Sequence, residues 1–115
     1  MEIKILGAAK EVGRSAFLVS NENSNILMDY GVLLKKEPQF PLHVKPKDLH
    51  AVVLSHAHLD HSGFLPSLFL SSSKFPVLST NPTIELSQLL TSCSYIKNLR
   101  LIYIPLIVFC YQSLD

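Results

Sequence analysis

Charge is scarce in this sequence. Charged residues make up 17% of 115 and the formal net charge is +1, so the bulk balance does not call for nucleic acid. A polyanion would need a local basic patch. The clusters present are Lys35-Lys36 and Lys45-Pro46-Lys47, in a proline-rich stretch that reads as a solvated loop. Cysteine is scarcer still, with Cys93 and Cys110 the only two. They form no Cys-x-x-Cys pair and have no histidine near them in sequence. That favours reduced, buried small side chains in a cytoplasmic protein over a disulfide framework. Long hydrophobic runs are missing too. The most apolar stretch, Leu101 to Tyr111, is about half of the roughly 20 residues a bilayer span needs, and Pro105 interrupts it. Met1 to Leu6 is too short and too mixed for a signal peptide. No membrane partner is expected, and no internal repeat or low-complexity segment stands out.

What is present is apolar: 48% of residues, enough for one small domain with a real core. Ile3, Ile5 and Gly7 alternate with polar neighbours and predict a half-buried strand. Ser15 to Val19 predicts a second strand, closed by the turn formers Ser20 to Asn25. Ile26-Leu27-Met28 predicts a third, stopping at Asp29-Tyr30-Gly31. Residues 32–48 hold Pro38, Pro41 and Pro46 and read as an extended loop. Ala51 to Leu54 is a continuous apolar run, as in a strand buried on both faces. His61 to Leu70 predicts a helix with Phe64, Leu65 and Leu68 on one face, and Pro66 falls in its first turns. Phe75 to Leu78 predicts another strand. Asn81 can cap a helix with Pro82 at its first position, and Leu86, Leu89, Leu90 and Cys93 recur at helical spacing along it. Strands first and then strands mixed with helices predict an α/β layered domain.

Three of the five histidines fall within six residues, in the run His56-Ala57-His58-Leu59-Asp60-His61. In an extended segment, side chains at i, i+2 and i+4 point the same way. His56, His58 and Asp60 would then line one side of a loop at a strand end. His61 is out of phase, so the chain must turn there to bring it back. That gives two donor pairs displaced along the chain, one for each of two metals. Imidazoles with one carboxylate suit Zn²⁺, and two ions about 3.5–4 Å apart can clamp the attacking and leaving oxygens of a displacement. A single histidine at a strand end is usually structural. Three with an aspartate in one tight run are hard to assign to packing, because so many polar groups cannot be satisfied together without water or metal.

The run His56 to His61 resembles the His-x-His-x-Asp-His signature of the metallo-β-lactamase superfamily. Gly7 to Phe17, with Glu11-Val12-Gly13-Arg14-Ser15 at its centre, resembles the first hairpin of that superfamily's β-CASP branch. The branch contains RNA-processing nucleases related to the cleavage and polyadenylation specificity factor and to ribonuclease J. Ile26 to Gly31, Ala51 to Ser55 and Thr80 to Thr83 resemble the branch's aspartate motif, metal-loop strand and next helix start. The resemblance implies the N-terminal part of a four-layer αββα sandwich. It implies His56 and His58 on a first zinc, Asp60 and His61 on a second, Asp60 as the catalytic residue of the set, and Asp29 supporting the ligands from behind. Asp29 reads equally well as a polar residue closing a strand. Arg14 could face a phosphate, although an exposed arginine without a role fits better. His43 and His50 fall outside the motif. No substrate-binding residue is identified.

A complete site of this family uses two further histidines and a bridging aspartate downstream. After His61 the sequence contains no histidine, and the only later aspartate is Asp115. The resemblance spans roughly residues 1–90. Residues 91–115 read as an apolar tail, and a truncated or frameshifted reading frame is the simplest account. The leading expectation is the N-terminal fragment of a two-zinc hydrolase acting on RNA phosphodiester bonds, inactive alone. A homodimer or a completing partner chain are the ways to supply the remaining ligands. The alternatives are a thioesterase- or lactamase-type hydrolase on the same fold, which the Gly7 to Phe17 hairpin argues against, and a non-catalytic remnant or subunit.

Overall fold

Three short apolar runs, none long enough for a helix, line up side by side and set the architecture. The structure, a computed structural model, describes residues 1–70, 73–94, 100–101, 108–111 and 113–114. Strands β1 (Glu2–Gly7), β2 (Ala16–Ser20) and β3 (Asn25–Met28) form an antiparallel meander. Asn21 Oδ1 closes the β2–β3 turn by accepting the amides of Asn23 and Ser24 at 2.9 and 2.8 Å. Strands β4 (Ala51–Val53) and β5 (Phe75–Leu78) continue the sheet parallel to β3. Beyond them the described backbone forms β6 (Arg100–Leu101), β7 (Val108–Tyr111) and β8 (Ser113–Leu114). β7 pairs antiparallel with β5, giving the sheet order β1-β2-β3-β4-β5-β7.

One face of this sheet is the core. Leu18, Leu27, Val52 and Val77 sit side by side in register, and the last three are fully buried. Leu65, Leu68, Phe69 and Ile84 cover them. The opposite face is also apolar. Ile3, Val19, Ile26 and Ala51 form one row across it, and Ile5, Phe17, Met28, Val53 and Leu78 form the next. Ile3 and Ile5 remain 60% and 55% exposed, so the half-burial expected of β1 is not what the structure shows. Its outward residues meet no second layer among the described residues. A sheet with a helical layer on one side is two of the layers of an αββα sandwich.

One helix expectation is corrected and one helix stands where expected. The helix expected over residues 61–70 is instead α1 (Leu59–Ser62) followed by a 3₁₀ segment, Leu65–Phe69. Pro66 has no amide proton to continue the α ladder and starts the tighter turn. Helix α2 (Asn81–Ser94) begins where expected, with Thr80 O accepting the Ile84 amide. Its buried face, however, is Ile84 and Ser87, while Leu86 and Leu89 are 52% and 61% exposed. Periodicity located the stripe but not the side the core lies on. No helix among the described residues is long and apolar enough to cross a membrane. The run 99–111 lies outside the described residues except at 100–101 and 108–111, as do the side chains of Cys93 and Cys110.

The segment after β3 is built to receive the loop after β4. Tyr30 N donates to His61 O at 2.8 Å, Val32 N to Leu59 O at 2.9 Å, and Ser15 N to Asp60 O at 2.9 Å. The Tyr30 ring is buried and its hydroxyl donates to Leu42 O at 3.1 Å. Between these contacts lies Gly31. A Cβ there would stand 1.7 Å from the Asp60 carbonyl oxygen and 2.6 Å from the His61 nitrogen. Only glycine permits this approach. Gly31→Ala is therefore expected to cost about 3 kcal/mol or more, since backbone rather than a flexible side chain must yield. Urea denaturation measures it, and an unchanged midpoint would contradict the docking described here.

Candidate metal centre

The parallel strands β3, β4 and β5 end on one rim, where open α/β sheets present their sites. Asp29 follows β3 and Ser55 to His61 follow β4. Leaving the strand, Leu54 N donates to Leu78 O at 2.9 Å, and Ser79 Oγ donates to Leu54 O at 2.7 Å. The chain turns sooner than the extended phase predicts. His58, at φ −58° and ψ 142°, already precedes α1, and its carbonyl accepts the amides of His61 and Ser62, each at 2.9 Å. Asp60 thus lies in a helical turn and not in an extended continuation. The turn nevertheless brings it to the histidines.

His56, His58 and Asp60 each offer a ligand atom, and these lie within 4.8 Å of one another. Donors around a tetrahedral ion with bonds near 2.1 Å stand about 3.4 Å apart. Side-chain shifts of about an ångström would bring these atoms to that spacing, and imidazoles with a carboxylate are suitable donors. His61 stands against the same group. Its Nε2 is 3.4 Å from Asp60 Oδ2, and its ring centroid is 4.0 Å from that of His56.

Behind the histidines lies Asp29, buried and held in the left-handed region at φ 60°. Its backbone amide donates to Val53 O at 2.9 Å. Its carboxylate accepts three hydrogen bonds: from Ser55 N and Ser55 Oγ, both at 2.8 Å, and from His61 Nδ1 at 2.7 Å. For neutral rings, proton counting then sets the tautomers. The carboxylate only accepts, so a neutral His61 carries its proton on Nδ1 and leaves Nε2 without one. The single Ser55 hydroxyl proton goes to Asp29. Ser55 Oγ can then only accept from His56 Nδ1, 2.9 Å away, which leaves Nε2 of His56 free as well. A carboxylate or hydroxyl that orients a histidine in this way sets both its tautomer and its basicity.

Ser55 is the residue that sequence reasoning misses. In sequence it is only the end of a strand, and a serine before a turn is too common to signal more. Arg14 is engaged, not idle: its guanidinium pairs with the Glu11 carboxylate and donates to Phe40 O at 3.1 Å. His50 lies at the far end of the strands, where its Nδ1 accepts the Asn25 amide at 3.0 Å. His43 is exposed and also lies outside the cluster.

A sheet carrying this histidine-aspartate loop on its rim is the arrangement of a metallo-β-lactamase-type domain. The chain matches the metallo-beta-lactamase superfamily over residues 9–74 and belongs to it. It is 46% identical over 91 residues to "Probable RNase MJ4" of Methanocaldococcus jannaschii, covering 78% of this chain and 21% of that protein. It is 46% identical over 83 residues to RNase aCSPSF2 of Saccharolobus solfataricus, covering 70% of this chain and 17% of that one. To the transcription termination factor FttA of M. jannaschii it is 41% identical over 95 residues, covering 78% and 15%. These relatives are β-CASP RNA-processing nucleases, the branch that the Gly7 to Phe17 hairpin resembles. The chain spans about a fifth or less of the length of each.

Ser55→Ala and Asp29→Asn each remove one member of the orienting network. Each is expected to weaken Co²⁺ or Zn²⁺ binding about 10–100-fold, with the far-UV circular dichroism unchanged. Calorimetric titration reads the effect. Wild-type affinity in both variants would show that the network does not orient the ligands.

Proposed function

We propose that this chain provides the first metal-ligand loop of a two-zinc hydrolase that cleaves RNA phosphodiester bonds. The observation that carries the reading is the convergence of His56, His58, Asp60 and His61 on one rim with Asp29 behind them, in a chain whose relatives include RNases. In this reading His56 and His58 hold a first zinc. Asp60, the catalytic residue of the set, and His61 hold a second. Zinc, when bound, supplies positive charge to polarise the phosphoryl oxygens and to activate water for attack. The protein's part is orientation. Asp29 and Ser55 present the Nε2 atoms of His61 and His56 toward the ions, and the bonds from Ser15, Tyr30 and Val32 hold the loop against the sheet. RNA is the partner, the compartment is the cytoplasm, and residues 1–90 form the working part with 91–115 as a tail. His56, His58, Asp60 and His61 are part of the ligand set of a two-zinc site, so residues 1–115 by themselves are expected to turn over little or no RNA.

The test is a graft. Residues 1–90 replace the matching segment of a longer relative, and the zinc-loaded chimera is assayed on RNA and on a thioester. RNA cleavage is expected, falling at least about 100-fold in kcat/KM with His58→Ala. A folded, zinc-loaded chimera that hydrolyses the thioester and leaves RNA intact would overturn the reading.

A further inference from the structure

An open cavity of about 400 Å³ adjoins the metal loop, within the range of small-molecule sites. His58 and Asp60 form one wall, and Leu59, Leu33, Leu34 and Val12 form others. No other charged or polar side chain lines it among the described residues. The cavity is held open by close packing beneath it. Gly13, at φ 107°, lets the loop lie down on Leu33, where a Cβ would stand 2.5 Å from Leu33 Cδ1. That packing leaves Val12 85% exposed at the cavity mouth, with Leu34 exposed beside it. Large apolar side chains standing in water at the edge of a polar site mark a surface that contacts something.

We propose that this cavity is a nucleobase subsite, seating the base of the nucleotide whose phosphate is presented to His58 and Asp60. The inference rests on the RNA reading above and adds where the strand lies. A nucleotide divides chemically as the site does: its phosphate carries the charge, and its base offers flat, weakly polar faces. The groups that would hold zinc lie on one wall only, so the phosphate belongs there, drawn by the cation and not by the Asp60 carboxylate, and the base belongs against the aliphatic side chains, which can sandwich it. With no side-chain donor or acceptor beyond the metal loop, the side chains of the walls cannot read base edges. The four bases should bind within about fivefold of one another, below what one bidentate base contact would give.

The test uses the full chain with Zn²⁺ added and its Leu and Val methyl groups labelled for NMR. Adenosine and cytidine 5′-monophosphate, inorganic phosphate and a short acyl thioester are titrated in turn. Both nucleotides are expected to shift the Val12, Leu33 and Leu34 methyls, and phosphate alone is not. Val12→Asp and Leu34→Asp, both at exposed positions, should weaken nucleotide binding about tenfold and leave zinc binding unchanged. Nucleotides that bind without moving these methyls, or no binding at all, would overturn the subsite and leave the RNA reading to its own graft test. A thioester that moves them when neither nucleotide does would overturn both.

Discussion

The Asp29 carboxylate is the point on which the site depends. A buried carboxylate is tolerated only when its oxygens are hydrogen-bonded. This one takes its partners from the metal loop itself: the Ser55 amide, the Ser55 hydroxyl and the His61 ring. Hydrogen bonds to a charged group are worth roughly twice those between neutral groups. Satisfying Asp29 and ordering the ligand loop are therefore the same event. The left-handed backbone at Asp29 turns the chain directly into Tyr30 and Gly31, whose close approach to Asp60 and His61 locks the loop from the other side.

Much of this was legible in the sequence, and the failures have physical causes. The strands were readable because each is a short apolar run bounded by turn formers. The ligand cluster was readable because so many polar groups in one run have no packing explanation. Asp29 could be named by resemblance, but its role could not be weighed, since three hydrogen bonds across 26 and 32 positions leave no local trace. Ser55 was invisible for the same reason. The extended phase assigned to Asp60 failed because His58 already starts a helical turn, yet the residue reached the histidines by another route. Pro66 divides the expected helix, as a missing amide proton should.

The remaining errors concern which side of an element is buried. Ile3 and Ile5 alternate as a half-buried strand would, and Leu86 and Leu89 repeat as a buried stripe would, yet all four are exposed. Periodicity reports that a face is apolar; what lies against that face is a matter of tertiary structure. The outward sheet face here is apolar across nine aligned positions, and it ends at Val53 and Leu78, on the same rim as the ligands. The metal loop thus sits where two apolar faces of one sheet meet, with the core on one side and, on the other, a face that meets no second layer among the described residues.

The most direct test of this account reads the ring protons themselves. Long-range ¹H–¹⁵N NMR correlations of the imidazoles, at a pH where the rings are neutral, distinguish a proton on Nδ1 from one on Nε2. The Asp29–Ser55 network predicts that His56 and His61 both carry it on Nδ1, with Nε2 bare and available to a metal. Protons on Nε2 of these two rings would contradict it.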